Sequence, residues 1–373
     1  MTNLPDISFA ERDPAVIETQ IITIYEALTG RSLARADPVR LFLESVAAII
    51  VQQRSIIDYT GKMNLLAYAG DGYLEHLGHL LGVERLEATA AATTLRFEIS
   101  TPLAAVQTVP KGTRATPDGK IYFATTGDAE IPAGETAVEV AAECTQTGPI
   151  GNDYLPGQIA RIVDPLPWLQ GVSNVTASAG GADLEDKENF RDRIRLAPEY
   201  FSVAGPSGSY EYWARTAHQD IVDVAVIGPP DTQPGNVEIY PLMKGGEIPP
   251  QEILDRVFEI LDAEKIRPDT DYVHVLPPAP VTYNLRVTYW IERGNATQAA
   301  ALQKKIEQAA QNWMLWQRSK LGRDLNPSEL NHRMVAAGAK RTEILSPAFT
   351  VLTRSQMAVP DEAEILYGGL EDA

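Results

Sequence analysis

Four carboxylates fall within six residues at Asp183, Glu185, Asp186 and Glu188, just after Gly180-Gly181 and just before Arg191 and Arg195. Paired carboxylates can do general acid–base work, and acidic loops can hold calcium. The order Asp-x-Glu-Asp-x-Glu lacks the regular alternation and the glycine of a calcium loop. A glycosidase needs two carboxyls converging across a cleft, whereas Glu185 and Glu188, three apart on one helix, point the same way. The alternative is a charged helix start. Acids there meet unpaired N–H groups and the positive end of the helix dipole. Arg191 and Arg195 then lie three residues after Glu188 and Asp192, in reach of ion pairs. The glycine pair turns the chain into the helix, and a structural role is the expectation.

Other candidates are thinner. His76 and His79 sit three apart and could share a metal, but no acid or cysteine completes a set at a recognised spacing. His218, His274 and His332 are isolated. Cys144 is the single cysteine, so neither an internal disulfide nor a thiolate zinc site can form. There is no phosphate loop, no dinucleotide glycine motif and no nucleophile elbow. Ser207-Gly208-Ser209 reads as a helix start, Ser207 capping with Glu211 one turn on. Trp313, Trp316 and Tyr289 could form a sugar platform, although their spacing suits core or interface packing better. The expectation is no catalytic residue, no cofactor and no metal.

These residues must be carried by a long, acidic chain. Its 373 residues exceed one ordinary core, so two to four domains are expected. Apolar residues make up 44%, enough for packed cores. A net charge of −18 repels a phosphate backbone, which argues against a nucleic-acid partner. The N-terminus lacks the apolar segment of a signal peptide, and the run Val46 to Val51 is far too short to span a bilayer. A soluble protein made in a cytoplasm, with no membrane partner, is expected.

The hydrophobic period divides the chain. Residues 1–90 read as helical. After Asp37-Pro38 a helix is expected to run to about Leu66, with Leu43, Val46, Ile50 and Ile57 on one stripe. At that length it would measure about 42 Å. That exceeds what a small domain needs, so part of the stripe is expected to meet another chain, the alternative being an internal helical hairpin. Gly61 counts against continuity. A second helix spans Gly72 to Leu81. Residues 91–180 switch to a period of two, with proline–glycine turns at short intervals, as in a small barrel or sandwich. Residues 181–277 mix helices with strands near Asp223–Ile227, Asn236–Tyr240 and Tyr272–Leu276. Pro277-Pro278-Ala279-Pro280 reads as a stiff connector. In 278–373, Val281, Tyr283, Leu285, Val287, Tyr289 and Ile291 alternate as a strand. A helix then carries Leu302, Ile306, Ala309, Trp313 and Trp316, for core or interface. The fold class is α+β multidomain: a helical segment, a β-barrel or sandwich, then two α+β sandwich domains.

Several stretches together resemble one family, the baseplate J-like proteins, wedge subunits of contractile phage tails and related injection devices. They include "YLEHLGHLLGVER" (Tyr73 to Arg85), "TVPKGTRATPDGKIYFAT", "IPAGETAVEVAAECTQTGPIGNDYLPGQI", "VSNVTASAGGADLEDKENFRDRI", "VAGPSGSYEYWARTAH", "VDVAVIGPPDTQPGNVEIYPL" and "IRPDTDYVHVLPPAPVTYNLRVTYWI". Their order and spacing carry the likeness, from about Gly72 to Tyr367. Pro206-Ser207 stands where the family often has Gly-Thr. The resemblance implies a non-enzymatic clamp in the tail baseplate of a virion, assembled in the host cytoplasm. Two copies would pair through their N-terminal helices and C-terminal domains and join a smaller wedge protein. Six such wedges would ring a central hub, giving twelve copies. Hub or spike and sheath-initiating proteins would be further partners, their basic surfaces offsetting the acidic charge. Domain rotation at joints such as 277–280 would open the ring. The competing readings are a cell-wall glycan hydrolase and a receptor-binding module.

Overall fold

The computed structural model describes residues 4–201, 207–263, 266–268 and 270–372, so Pro206 of the Pro206-Ser207 departure lies outside the described residues. The chain forms two compact bodies, one reaching to Arg85 and including Phe190–Arg195, the other holding Leu86–Asn189 and the chain from Leu196 onward.

The first body contains α1 (Pro14–Thr29), α2 (Pro38–Met63) and α3 (Tyr73–Leu80). The same device opens α1 and α2. Asp13 and Asp37 accept from the amides of Ala15 and Val39 at 2.9 Å, and a proline follows each cap. The cap satisfies an orphan donor, and the proline sits where no N–H is needed. The two helices pack together, with Arg40 of α2 paired to Glu18 of α1 at 3.1 Å. With 26 residues, α2 is about 39 Å long. It ends three residues before the expected Leu66 and passes through Gly61 unbroken. The glycine has a packing reason. A Cβ there would lie 2.6 Å from the ring of Phe9.

The second body begins with a six-stranded antiparallel sheet. Its strands are β1 (Ala90–Glu98), β3 (Arg114–Thr116), β4 (Phe123–Thr125), β6 (Ala137–Thr147), β7 (Arg161–Ile162) and β8 (Gly171–Asn174). They run in the order β7-β3-β4-β6-β1-β8. The two edge strands, β7 and β8, approach one another, so the sheet curls into a nearly closed barrel. A separate ribbon pairs β2 (Gln107–Val109) with β5 (Ala129–Ile131). Leu95, Phe97, Val109, Phe123 and Ile159 fill the interior, as the alternation along β1 requires.

A helix, α4 (Lys187–Leu196), follows the barrel, and α5 (Ser207–Thr216) opens the middle domain. Then come β9 (Ile221–Ile227), β10 (Asn236–Met243), α6 (Gln251–Leu261) and β11 (Tyr272–Val275). β10 is central, antiparallel to β9 and parallel to β11, with α6 as the crossover. Ile253, Val257 and Leu261 of α6 bury against Val224, Val226, Val237 and Ile239.

The last domain runs β12 (Ala279–Glu292), α7 (Ala299–Arg318), α8 (Pro327–Ala336), β13 (Arg341–Ser346) and β14 (Gln356–Glu371). β12 is central, antiparallel to β13 and parallel to β14 from Ala279↔Gln356 to Glu292↔Glu371. Its alternating residues Tyr283, Leu285, Val287, Tyr289 and Ile291 meet Ile306, Ala310 and Trp313 of α7 and Leu330 and Met334 of α8.

The stiff connector expected at 277–280 is in part a strand. Ala279 and Pro280 already belong to β12 and pair with Gln356 and Met357. The middle and last domains also share a core. Ala225 and Leu242 pack with Leu321 and Met357, flanked by Tyr240 and Val359. Beside it, the Leu321 amide donates to the Asp223 carboxylate at 2.8 Å.

Candidate functional site

The four acids have separate structural duties. Glu185 is only 2% exposed and precedes α4 rather than lying in its first turn, as expected above. Its carboxylate accepts from the Leu86 amide at 3.0 Å, and its own amide donates to the Leu86 carbonyl at 3.0 Å. Asp186 is the helix cap. Its Oδ1 accepts from the Glu188 and Asn189 amides at 3.0 Å, and its Oδ2 meets Lys244 at 3.1 Å. Burial opposes the charged form of Asp186, but these amides and Lys244 outweigh it and hold the carboxyl below its usual range. Asp183 and Glu188 are exposed. One acid inside and its neighbours outside do not enclose a substrate.

The basic residues that follow serve the backbone. Arg191 donates to the carbonyls of Leu66 and Ala69, and Arg193 to that of Glu84. Arg195 pairs with Asp192 at 3.0 Å, as its spacing predicts. Phe190 and Ile194 are fully buried beside Gly78, where a Cβ would meet the Phe190 ring at 2.8 Å. The glycine pair is required by close approach as well as by the turn. A Cβ on Gly181 would sit 2.5 Å from the Gly148 carbonyl oxygen.

No other nominated group gathers into a site. His76 and His79 are both exposed on α3, and among the described residues no three His, Cys, Asp or Glu side chains could hold a metal. His218 is buried, and desolvation pushes its imidazole down from the ordinary value. Cys144 is buried in the barrel. The sugar-platform reading of the aromatics fails. Trp313 and Tyr289 are fully buried, and the guanidiniums of Arg323 and Arg333 stand 3.9 and 4.5 Å from the Trp316 ring centroid. Ile306 is buried in the same core, and Leu302 packs on its margin. Among the described residues, no helix is long and apolar enough to cross a membrane.

What remains is surface. On α2, the expected stripe residues Leu43, Val46 and Ile50 are half-buried and Ile57 is exposed. A different row is barer: Phe42, Ile49 and Ile56 are 64%, 59% and 53% exposed. Their spacing of seven, with Tyr59 three residues after Ile56, is the seam pattern of packed helices. The heptad is legible in the sequence beside the expected stripe. The last domain also leaves Leu345, Phe349 and Val351 exposed, which no periodicity announces.

Comparison with known proteins adds three adjoining family matches. Residues 94–181 match the profile described as Baseplate J-like protein barrel domain, 202–277 the Baseplate J-like central domain, and 283–366 the Baseplate J-like protein C-terminal domain. Baseplate protein J of Escherichia phage P2 is 30% identical over 195 residues, 51% of this chain and 62% of that protein. Baseplate protein gp47 of Escherichia phage Mu is 30% identical over 161 residues, 43% of each. The matches thus span less than two thirds of either relative's own length. A chain of the cryo-EM structure of the anti-feeding prophage baseplate aligns over 92% of this chain and 90% of its own, at TM-score 0.40 and 12% identity.

Proposed function

The chain belongs to the baseplate J-like protein family, and from that premise we propose that it is a structural subunit of a contractile-tail baseplate. It acts as a non-enzymatic wedge component. The observation that carries this reading is the state of α2. Its helix partner α1 is already in place, yet the row Phe42, Ile49 and Ile56 stays uncovered. A row of large apolar side chains on a folded helix fits association with further helices. The acidic cluster supports the non-enzymatic part, because Glu185 and Asp186 are engaged in holding the backbone.

In this reading the chain has four parts, at 1–90, 91–180, 181–277 and 278–373. The first joins a helical bundle through α2, including Leu43, Val46, Ile50 and Ile57. The last pairs two copies, with Leu345, Phe349 and Val351 among its exposed apolar side chains. Two copies combine with a smaller wedge protein, and six wedges ring a hub, coupling baseplate rearrangement to sheath contraction. Hub or spike and sheath-initiating proteins complete the partners.

Co-expression with the neighbouring wedge protein, followed by mass measurement of the complex, tests this. A stable assembly holding two copies is expected. A lone monomer, or one that cleaves peptidoglycan, would sink the reading.

A further inference from the structure

Residues 4–13 form neither helix nor strand and run along the last half of α2 in the opposite direction. Several of their contacts meet at one acid. Asp58 of α2 is 2% exposed. Its carboxylate accepts from the Phe9 amide at 2.8 Å and pairs with Arg12 at 3.2 Å and with Lys62 at 3.4 Å. Around it, the Arg54 guanidinium donates to the Glu11 carbonyl at 3.3 Å, and the Tyr68 hydroxyl donates to Asp6 at 3.0 Å. Lys62 also lies 3.7 Å from Asp6.

Apolar burial contributes little to this attachment. Leu4, Ile7 and Phe9 all remain substantially exposed, Phe9 at 49%. The Phe9 ring rests on the bare backbone of Gly61. The buried groups of the helix pair, Ile17, Ile22 and Ala47, lie outside this segment. A segment held mainly by polar contacts, of which the Asp58 carboxylate gathers the amide of Phe9 and the Arg12 ion pair, can open locally while the helix beneath, with its own packing, stays folded.

We propose that residues 4–13 are a detachable strap, latched by Asp58 and seated on Gly61, whose release bares a notch on α2 without unfolding the helix pair. The notch lies over Gly61, where the Phe9 ring now sits, beside Arg54, Asp58 and Lys62. Opening it enlarges the free surface of the helix that also carries Phe42, Ile49 and Ile56. This inference concerns the chain by itself and stands whether or not the baseplate reading holds.

Hydrogen exchange on the full-length protein tests it, read peptide by peptide. Two variants act on different parts of the device. Asp58→Ala removes the latch. Gly61→Ala places a Cβ under the Phe9 ring while favouring the helix. In each, exchange across residues 4–13 should quicken by about tenfold or more, with residues 14–29 and 38–53 unchanged. Unaltered exchange at 4–13 in both variants would overturn the strap. So would a parallel rise across both helices, because the segment would then be an inseparable part of the fold.

Discussion

At the scale of the residue, one helix cap separates a structural acid from a chemical one. Asp186 loses two amide bonds and an ion pair on substitution by alanine. The change should cost about 1 kcal/mol, read as a lower urea midpoint at neutral pH. Its carboxyl is held below the usual range, so its stabilisation is present above the ordinary aspartate value and is lost as pH falls through the lowered one. The difference between wild type and Asp186→Ala should therefore narrow as pH falls below the ordinary aspartate value of about 4. Asp58 carries a harder lesson. A mid-helix acid reads as solvated in the sequence, and its burial comes from Phe9 and Arg12, almost fifty residues away. No local pattern encodes such a meeting.

At the scale of the element, periodicity was a good guide to shape and a poor guide to ownership. The alternation from Tyr283 to Ile291 marks the central strand of the last domain, and the helical spacing marks the inner side of α7 at Ile306 and Trp313, with Ala310 rather than the expected Ala309 fully buried. Trp313 sits at the centre of that face, and Trp313→Ala should cost about 3–5 kcal/mol in equilibrium unfolding. An amphipathic stripe does not say whether its cover is the same chain or another. For that reason the sequence shows both the stripe of Leu43, Val46 and Ile50 and the heptad row beside it, and does not say which of the two stays bare. Changing Phe42 and Ile49 to glutamate should leave the isolated chain within about 0.5 kcal/mol of its stability. The same change should abolish association with wedge partners in sedimentation runs. At 277–280 the stretch lies between the central and C-terminal family matches and at once enters β12, since proline is tolerated at the first residues of a strand.

At the scale of the whole molecule, the shared core of Ala225, Leu242, Leu321 and Met357 makes one lever of two sheets. Leu321→Asp would bury an unpaired charge in that joint. Calorimetry should show the middle and last domains of the wild type unfolding in one transition, and the variant splitting it into two. Two transitions in the wild type would contradict the single lever. The net charge of −18 acts at the same scale. If basic partner surfaces offset it, wedge association should weaken as salt rises from low to physiological strength and above, because screening shortens to about 8 Å at the latter. The parallel pairing of β12 with β14 has a consequence for how the chain is made. Its central strand waits for a partner that the ribosome delivers nearly eighty residues later. Leu242, translated earlier still, waits for Met357. A polypeptide cut short before residue 356 therefore emerges with raw edges, ready for chaperones or proteases and unfit to enter a particle.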